Sequence, residues 1–474
     1  MSKTAAMPLL ALLLAGCATP VPQALSPQMV PRTFTGPIAN DAKIWPEPAW
    51  WQGFGDTQMV ALVQQAQDGN RDIAIAAARV MQAQARSTIQ RSALFPQIGA
   101  QGDAQNGGCS GQSCQQFRNG KVFGLTFNAS YELDFWGLAR DNLRAAQEQL
   151  KVARFAQQSV ALTVTANVGS QYLNVLAIRR RIAIANQNIA AINAILEIIQ
   201  LRVKAGATSH LDLAREQAQL ETVQAQLPAL ETLEKQALYS LAVLLGRPPE
   251  GFGVAPADLE RVLPPVVGAG LPSELLLRRP DIAQAEANLA SAHANVDAAR
   301  AAFLPRISLT GSGGFVSTAI GTLLQGSSFG YGYGAGLLQT IFDGGKLAGQ
   351  KDLAEATQKE FVAAYQNAAL NAYADVELAL IQVANTARAE GHLRSLIVAA
   401  REAFEISQLQ YRQGAADLLT VLQAQLTLFS AQDQLVQTTL ANRQAAIHLY
   451  EALGGGWVER AEDRTQIVEN QTVR

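Results

Sequence analysis

The chain has little of what enzymes and nucleic-acid binders require. Its 474 residues include three cysteines and four histidines, and His210, His293, His392 and His448 are dispersed, without metal-ligand spacing. No nucleophile motif and no glycine-rich phosphate loop occurs, so neither an enzyme, a cofactor nor a metal is expected. Charged residues make up 16% of the chain, with a net charge of -2. A phosphate-binding surface needs clustered lysine and arginine, and that balance sets nucleic acid aside. Aromatic residues are scarce at 6%, although 49% of the chain is hydrophobic. Alanine, glutamine and glycine replace bulky core formers, which is odd for a compact globule of this length.

Proline is missing from Gln97 to Leu227 and again after Pro305, while it crowds Pro20 to Pro48 and Pro248 to Pro280. Proline breaks helix interiors, so the free stretches have room for very long helices and the crowded ones read as irregular connections. In the first free stretch Ile178, Ile182, Ala185, Ile189, Ile192, Leu196, Ile199 and Val203 step alternately by four and three, the spacing of a coiled-coil seam. From about Leu138 to Ala205 the one strong breaker is Gly169, and a helix of that extent approaches ~100 Å. Just before it, from Val122 to Phe135, apolar and polar residues alternate strictly, which predicts a strand with one apolar face, long enough to cross a bilayer at a tilt.

The same grammar is written twice. "LFPQI" at Leu94–Ile98 recurs as "FLPRI" at Phe303–Ile307, and "RDIA" at Arg71–Ala74 recurs as "PDIA" at Pro280–Ala283. Around the glycine breaks at Gly206 and Gly414 the halves align without gaps, with identities such as Gln200/Gln408, Leu211/Leu419, Gln226/Gln434 and Leu245/Leu453. The chain is an internal duplication. Each half is predicted as helix, proline-initiated strand, loop, strand, long helix, glycine break and return helix. The second strand pair is expected at Ile307–Val316 and Phe329–Phe342.

The ends and loops complete the expected organisation. Lys3, the apolar run Met7–Leu14 and "LAGC" at Leu14–Cys17 read as a lipoprotein signal peptide over residues 1–16, with Cys17 as the lipid-carrying first residue. Ala18, not aspartate, follows it, which resembles the outer-membrane sorting signal. Residues 17–55 are then an extended segment, 56–246 the first repeat, 247–278 a proline-rich connector, 279–454 the second repeat and 455–474 a polar tail. Cys109 and Cys114 share a polar loop, where a local disulfide is expected ahead of two free thiols.

Four strands cannot close a membrane barrel, and open edges are not tolerated in lipid. Two, three or four copies pooling strands would each give a closure, with the helices forming a second tube on the same axis.

At this point the chain resembles the outer membrane factors, the TolC-like channel proteins, and most closely their lipoprotein branch serving resistance-nodulation-division efflux pumps. The segments that carry the resemblance are the Leu14–Cys17 lipobox, "WWQGFGD" at Trp50–Asp56, "YELDFWG" at Tyr131–Gly137, "GLPSELLLRRPDIAQAE" at Gly270–Glu286 and "IFDGGK" at Ile341–Lys346. The resemblance implies a mainly α protomer that forms a homotrimer, with a 12-stranded outer-membrane β-barrel continuing as a periplasmic α-helical tunnel. It implies an exit duct for small toxic compounds, joined by a periplasmic adaptor to an inner-membrane efflux transporter. A type I protein secretion channel and a non-pore, lipid-anchored coiled-coil scaffold are the alternatives.

The resemblance also assigns the breaks. Gly206, Ala207 and Thr208, and Gly414, Ala415 and Ala416, become the adaptor-contacting tips of two helical hairpins. Asp212 and Tyr411 match an acidic residue and a tyrosine that bond to hold the tips closed. Leu419 matches a hydrophobic constriction. Thr420 and Gln423 stand where relatives often carry lumen carboxylates, so an acidic gate ring is not expected. From the residues alone, Ser209 and Asp417, three after each glycine, are suited to capping the following helices.

Overall fold

The computed structural model describes residues 29–36, 45–107, 120–265, 270 and 272–458. Cys17, Cys109 and Cys114 lie outside the described residues. Helices α1 (Thr57–Gly69) and α2 (Arg71–Ser92) lead into strands β1 (Gln97–Gly107) and β2 (Gly120–Leu133). Helix α3 (Leu138–Lys204) then runs to the first glycine break, and α4 (His210–Gln224) and α5 (Leu227–Leu244) return. The second copy supplies α6 (Pro280–Ala301), β3 (Arg306–Ser317), β4 (Phe329–Leu338), α7 (Lys346–Gln413) and α8 (Leu418–Ala452).

The strands form one antiparallel sheet in the order β1-β2-β3-β4, and every helix attaches at the same end of it. Opposed residues share a face, so the register sorts the whole sheet. Gln101 opposes Thr126, Asn128 opposes Ser312, and Ser312 opposes Gly332, which gives one small and polar face. Phe127, Leu309, Tyr331 and Leu337 lie on the other face, and Tyr333 there is 88% exposed. Among the described residues none covers that apolar face within the protomer. β4 stops at Leu338, short of the expected Phe342. Its partner β3 begins at Arg306, opposite Leu338, because Pro305 has no N–H to extend the ladder. Gln339 turns away and donates instead to the Phe303 carbonyl at 3.2 Å.

The duplication extends to the joints. Asn70 caps α2 through Oδ1, while its Nδ2 donates to the Leu244 carbonyl at 2.8 Å. In the second copy Arg279 precedes α6 and donates to the equivalent carbonyl, that of Ala452, at 3.1 Å. Gly246 and Gly454 end the return helices with φ of 68° and 84°. A Cβ there would stand 2.1 Å from the Gly69 carbonyl oxygen and 1.9 Å from that of Arg278, respectively. Only glycine meets both demands, positive φ and backbone contact.

α3 spans 67 residues, ~100 Å, and its middle builds the main core. Tyr172, Leu173 and Leu176 are buried there against Met59, Val63, Leu241 and Ile447, each burial stabilising by about 1.5–3 kcal/mol. Gly169 does not interrupt α3; a Cβ at that point would come within 2.7 Å of Met59 Cε, so the glycine admits α1. The single expected seam is in fact two. Ile182 and Ile189 face Val223 and Leu230 of the return helices, while Ile195 and Ile199 face Tyr411, Leu418 and Val421 of the second copy. One helix lies against two neighbours, so its apolar stripe is wider than a two-helix seam. The first return helix is also split at Ala225–Gln226, where α8 is continuous. Pro228 at the start of α5 cannot donate to a carbonyl four residues back, and the aligned position in α8 is Val436.

Candidate functional site: the paired hairpin tips

Both long helices end with one device. Gly206 and Gly414 take φ of 69° and 78°. At the first tip the Gly206 N–H reaches the Val203 carbonyl and the Ala207 N–H reaches Arg202; at the second, Gly414 reaches Tyr411 and Ala415 reaches Gln410. These paired bonds form a Schellman motif, which satisfies carbonyls that the helix end leaves open. Ser209 then caps α4 by accepting from the Asp212 N–H, and Asp417 caps α8 by accepting from the Thr420 N–H at 3.0 Å. The Thr420 hydroxyl, 2.6 Å from Asp417 Oδ1, and the Thr420 N–H hold the Asp417 carboxyl below the usual range. Gly206, Ala207, Gly414 and Ala415 are exposed, Thr208 and Ala416 half-buried.

The expected bond between Asp212 and Tyr411 is not made within the protomer. Asp212 Oδ2 accepts from the Thr208 hydroxyl at 2.6 Å, a local bond across the first turn of α4. Tyr411 is packed among Ile195, Ile199, Leu418 and Val421, and its buried hydroxyl has no partner among the described residues. What links the tips is Arg202, which sequence reasoning passed over. Its guanidinium lies 4.7 Å from the Tyr411 ring centroid and donates to the Arg412 carbonyl at 3.0 Å. A cation there also meets the negative end of α7. The sequence signal was available: a basic residue in the last turn of α3, where the aligned position in α7 is Gln410.

Leu419 is 56% exposed, and Gln423 is exposed one turn along the same face. Together with Thr420, Ala424, Ala400 and Ala403 they border a groove between α7 and α8 that carries no charged side chain. One carboxyl is hidden nearby. Glu216 occupies the inner stripe of α4, between Leu213 and Leu220, with no exposed surface and no hydrogen-bond partner on either oxygen among the described residues. Burial pushes its pKa up to about 7. Gln425 of α8 is equally buried, and its amide is likewise without partners. Among the described residues no group of three His, Cys, Asp or Glu could hold a metal ion.

The chain matches the family described as "Outer membrane efflux protein" over residues 62–247 and 271–455, one segment per repeat. It is 36% identical over 455 residues to the pyoverdine export outer membrane protein OpmQ of Pseudomonas putida, covering 94% of this chain and 96% of the relative. It is 30% identical over 458 residues to the cation efflux system protein CusC of Escherichia coli, covering 94% and 97%. Among solved structures, the outer-membrane channel OprN superposes with a TM-score of 0.85 at 26% identity, covering 91% of this chain and 98% of that one.

Proposed function

The chain belongs to the outer membrane efflux protein family, and from that premise we propose how this outer-membrane efflux channel is anchored and coupled. Three protomers pool their strands into a 12-stranded barrel, and α3–α5, α7 and α8 continue it as a periplasmic tunnel. The tips of both hairpins, Gly206–Thr208 and Gly414–Ala416, dock a periplasmic adaptor, which joins the duct to an inner-membrane efflux transporter. Cys17 carries the lipid that anchors the mature chain in the outer membrane of a Gram-negative cell. No cofactor other than that covalent lipid takes part. Solutes pass through the duct passively, delivered to it by the transporter at the far end.

The observation that carries the coupling is the shape of the protomer. A sheet with an uncovered apolar face stands at one end, and two exposed, uncharged turns stand at the end of helices ~100 Å long. A non-pore scaffold has no use for such a sheet. Relatives named for pyoverdine export and for cation efflux match nearly the whole chain, which favours cargo selection at the transporter. The test is crosslinking in intact envelopes with single cysteines at Thr208 and Ala416. An adaptor-sized adduct from both positions is expected. A correctly assembled trimer that yields none from either would overturn the docking assignment.

A further inference from the structure

The four strands contain four charged side chains: Asp103, Lys121, Glu132 and Arg306. The register places each one. Lys121 opposes Asn106 near the loop end of the apolar face. Glu132 and Arg306 lie on the polar face at the helix end and pair with each other at 3.9 Å. Asp103 opposes Gly124 on the polar face, toward the loop end of β1, and makes no ion pair among the described residues. In the closed barrel the apolar face meets lipid, so the polar face lines the lumen.

On β1 and β2 that lining carries uncharged side chains such as Gln101, Gln105 and Asn128, and on the other two strands it is nearly bare. On β3 it consists largely of Ser308, Thr310 and Ser312, and on β4 of Gly330, Gly332, Gly334 and Gly336. Asp103 itself lies flat on the wall: a Cβ at Gly124 would stand 2.4 Å from its Oδ1. The carboxylate therefore acts on passing solutes through its field and does not obstruct the bore.

We propose that Asp103 sets the charge preference of the barrel. Repeated by the threefold axis, it forms a ring of three carboxylates without an ion pair among the described residues, on strands whose other lumen-facing charges, Glu132 and Arg306, compensate each other, favouring cationic over anionic solutes. The preference weakens as salt rises, because the screening length falls from ~30 Å at 0.01 M to ~8 Å at 0.15 M.

The test is the reversal potential of the reconstituted channel in planar bilayers under a KCl gradient, at low and at high ionic strength. The wild type is expected to show a potential on the cation side that shrinks with salt. Asp103→Asn is expected to move it toward zero, Asp103→Lys to reverse its sign and Asp103→Glu to keep it. Heat-modifiable trimers establish that each variant is assembled. Conducting Asp103→Asn and Asp103→Lys channels with the wild-type potential would overturn the assignment. Absence of conductance in the wild type would count against the pore itself, a separate failure.

Discussion

Replacing Glu216 with glutamine should flatten a pH dependence of the first hairpin. Glu216 has no exposed surface and no hydrogen-bond partner among the described residues, so its charged form loses hydration without compensation. Its pKa rises from an ordinary 4.5 to about 7. The folded chain therefore holds a proton over a range in which the unfolded chain has released it. That contribution to stability is complete below pH ~4.5 and declines as pH rises through ~7, a total of about 3 kcal/mol per protomer. The most economical escape from a buried charge is local: α4 lifts from α3 and rehydrates the carboxylate, well short of global unfolding. Hydrogen exchange of the detergent-solubilised trimer reads this directly, after correction for the intrinsic pH dependence of exchange. Protection along α4 and the facing part of α3 is expected to fall on the order of fiftyfold between pH 5 and pH 8. In Glu216→Gln it should stay level. A wild-type profile without slope, or an equal slope in the variant, would refute the reasoning.

Four further outcomes follow from the tips and joints. Gly414→Ala meets no atom within 4 Å but must hold φ of 78°, so it should cost about 1–2 kcal/mol and loosen only the last turn of α7 in exchange. Gly454→Ala adds a contact of 1.9 Å with the Arg278 carbonyl oxygen and should abolish heat-modifiable trimers. Arg202→Ala removes the cation over Tyr411 and the bond to the Arg412 carbonyl, about 1–2 kcal/mol together, and should raise single-channel open probability. With Leu419, Thr420 and Gln423 uncharged, multivalent cations added on the periplasmic side of an Asp103→Asn channel should leave conductance unchanged, whereas a further Gln423→Glu should introduce block; block of the Asp103→Asn channel itself would contradict the neutral groove.

Local chemistry wrote much of this protein in legible form. Alternating residues require a strand, proline-free stretches permit helices of ~100 Å, and a glycine at the same place in both copies ends each helix by the same backbone bonds. Those rules act over a few residues, so position and type could be read from the chain alone, down to Ser209 and Asp417 as caps. The departures from that reading, apart from the return helix that Pro228 splits, depend on which segments become neighbours. α3 carries two seams because it packs against both its own return helix and α8. Tyr411 lies under Arg202, and Asp212 bonds Thr208, because the tips of two copies 208 positions apart meet side by side. Asp103 and Glu132 look alike in sequence as acids within strands. Only the register lays Arg306 beside one and Gly124 beneath the other, so that among the described residues Glu132 has an ion pair and Asp103 has none.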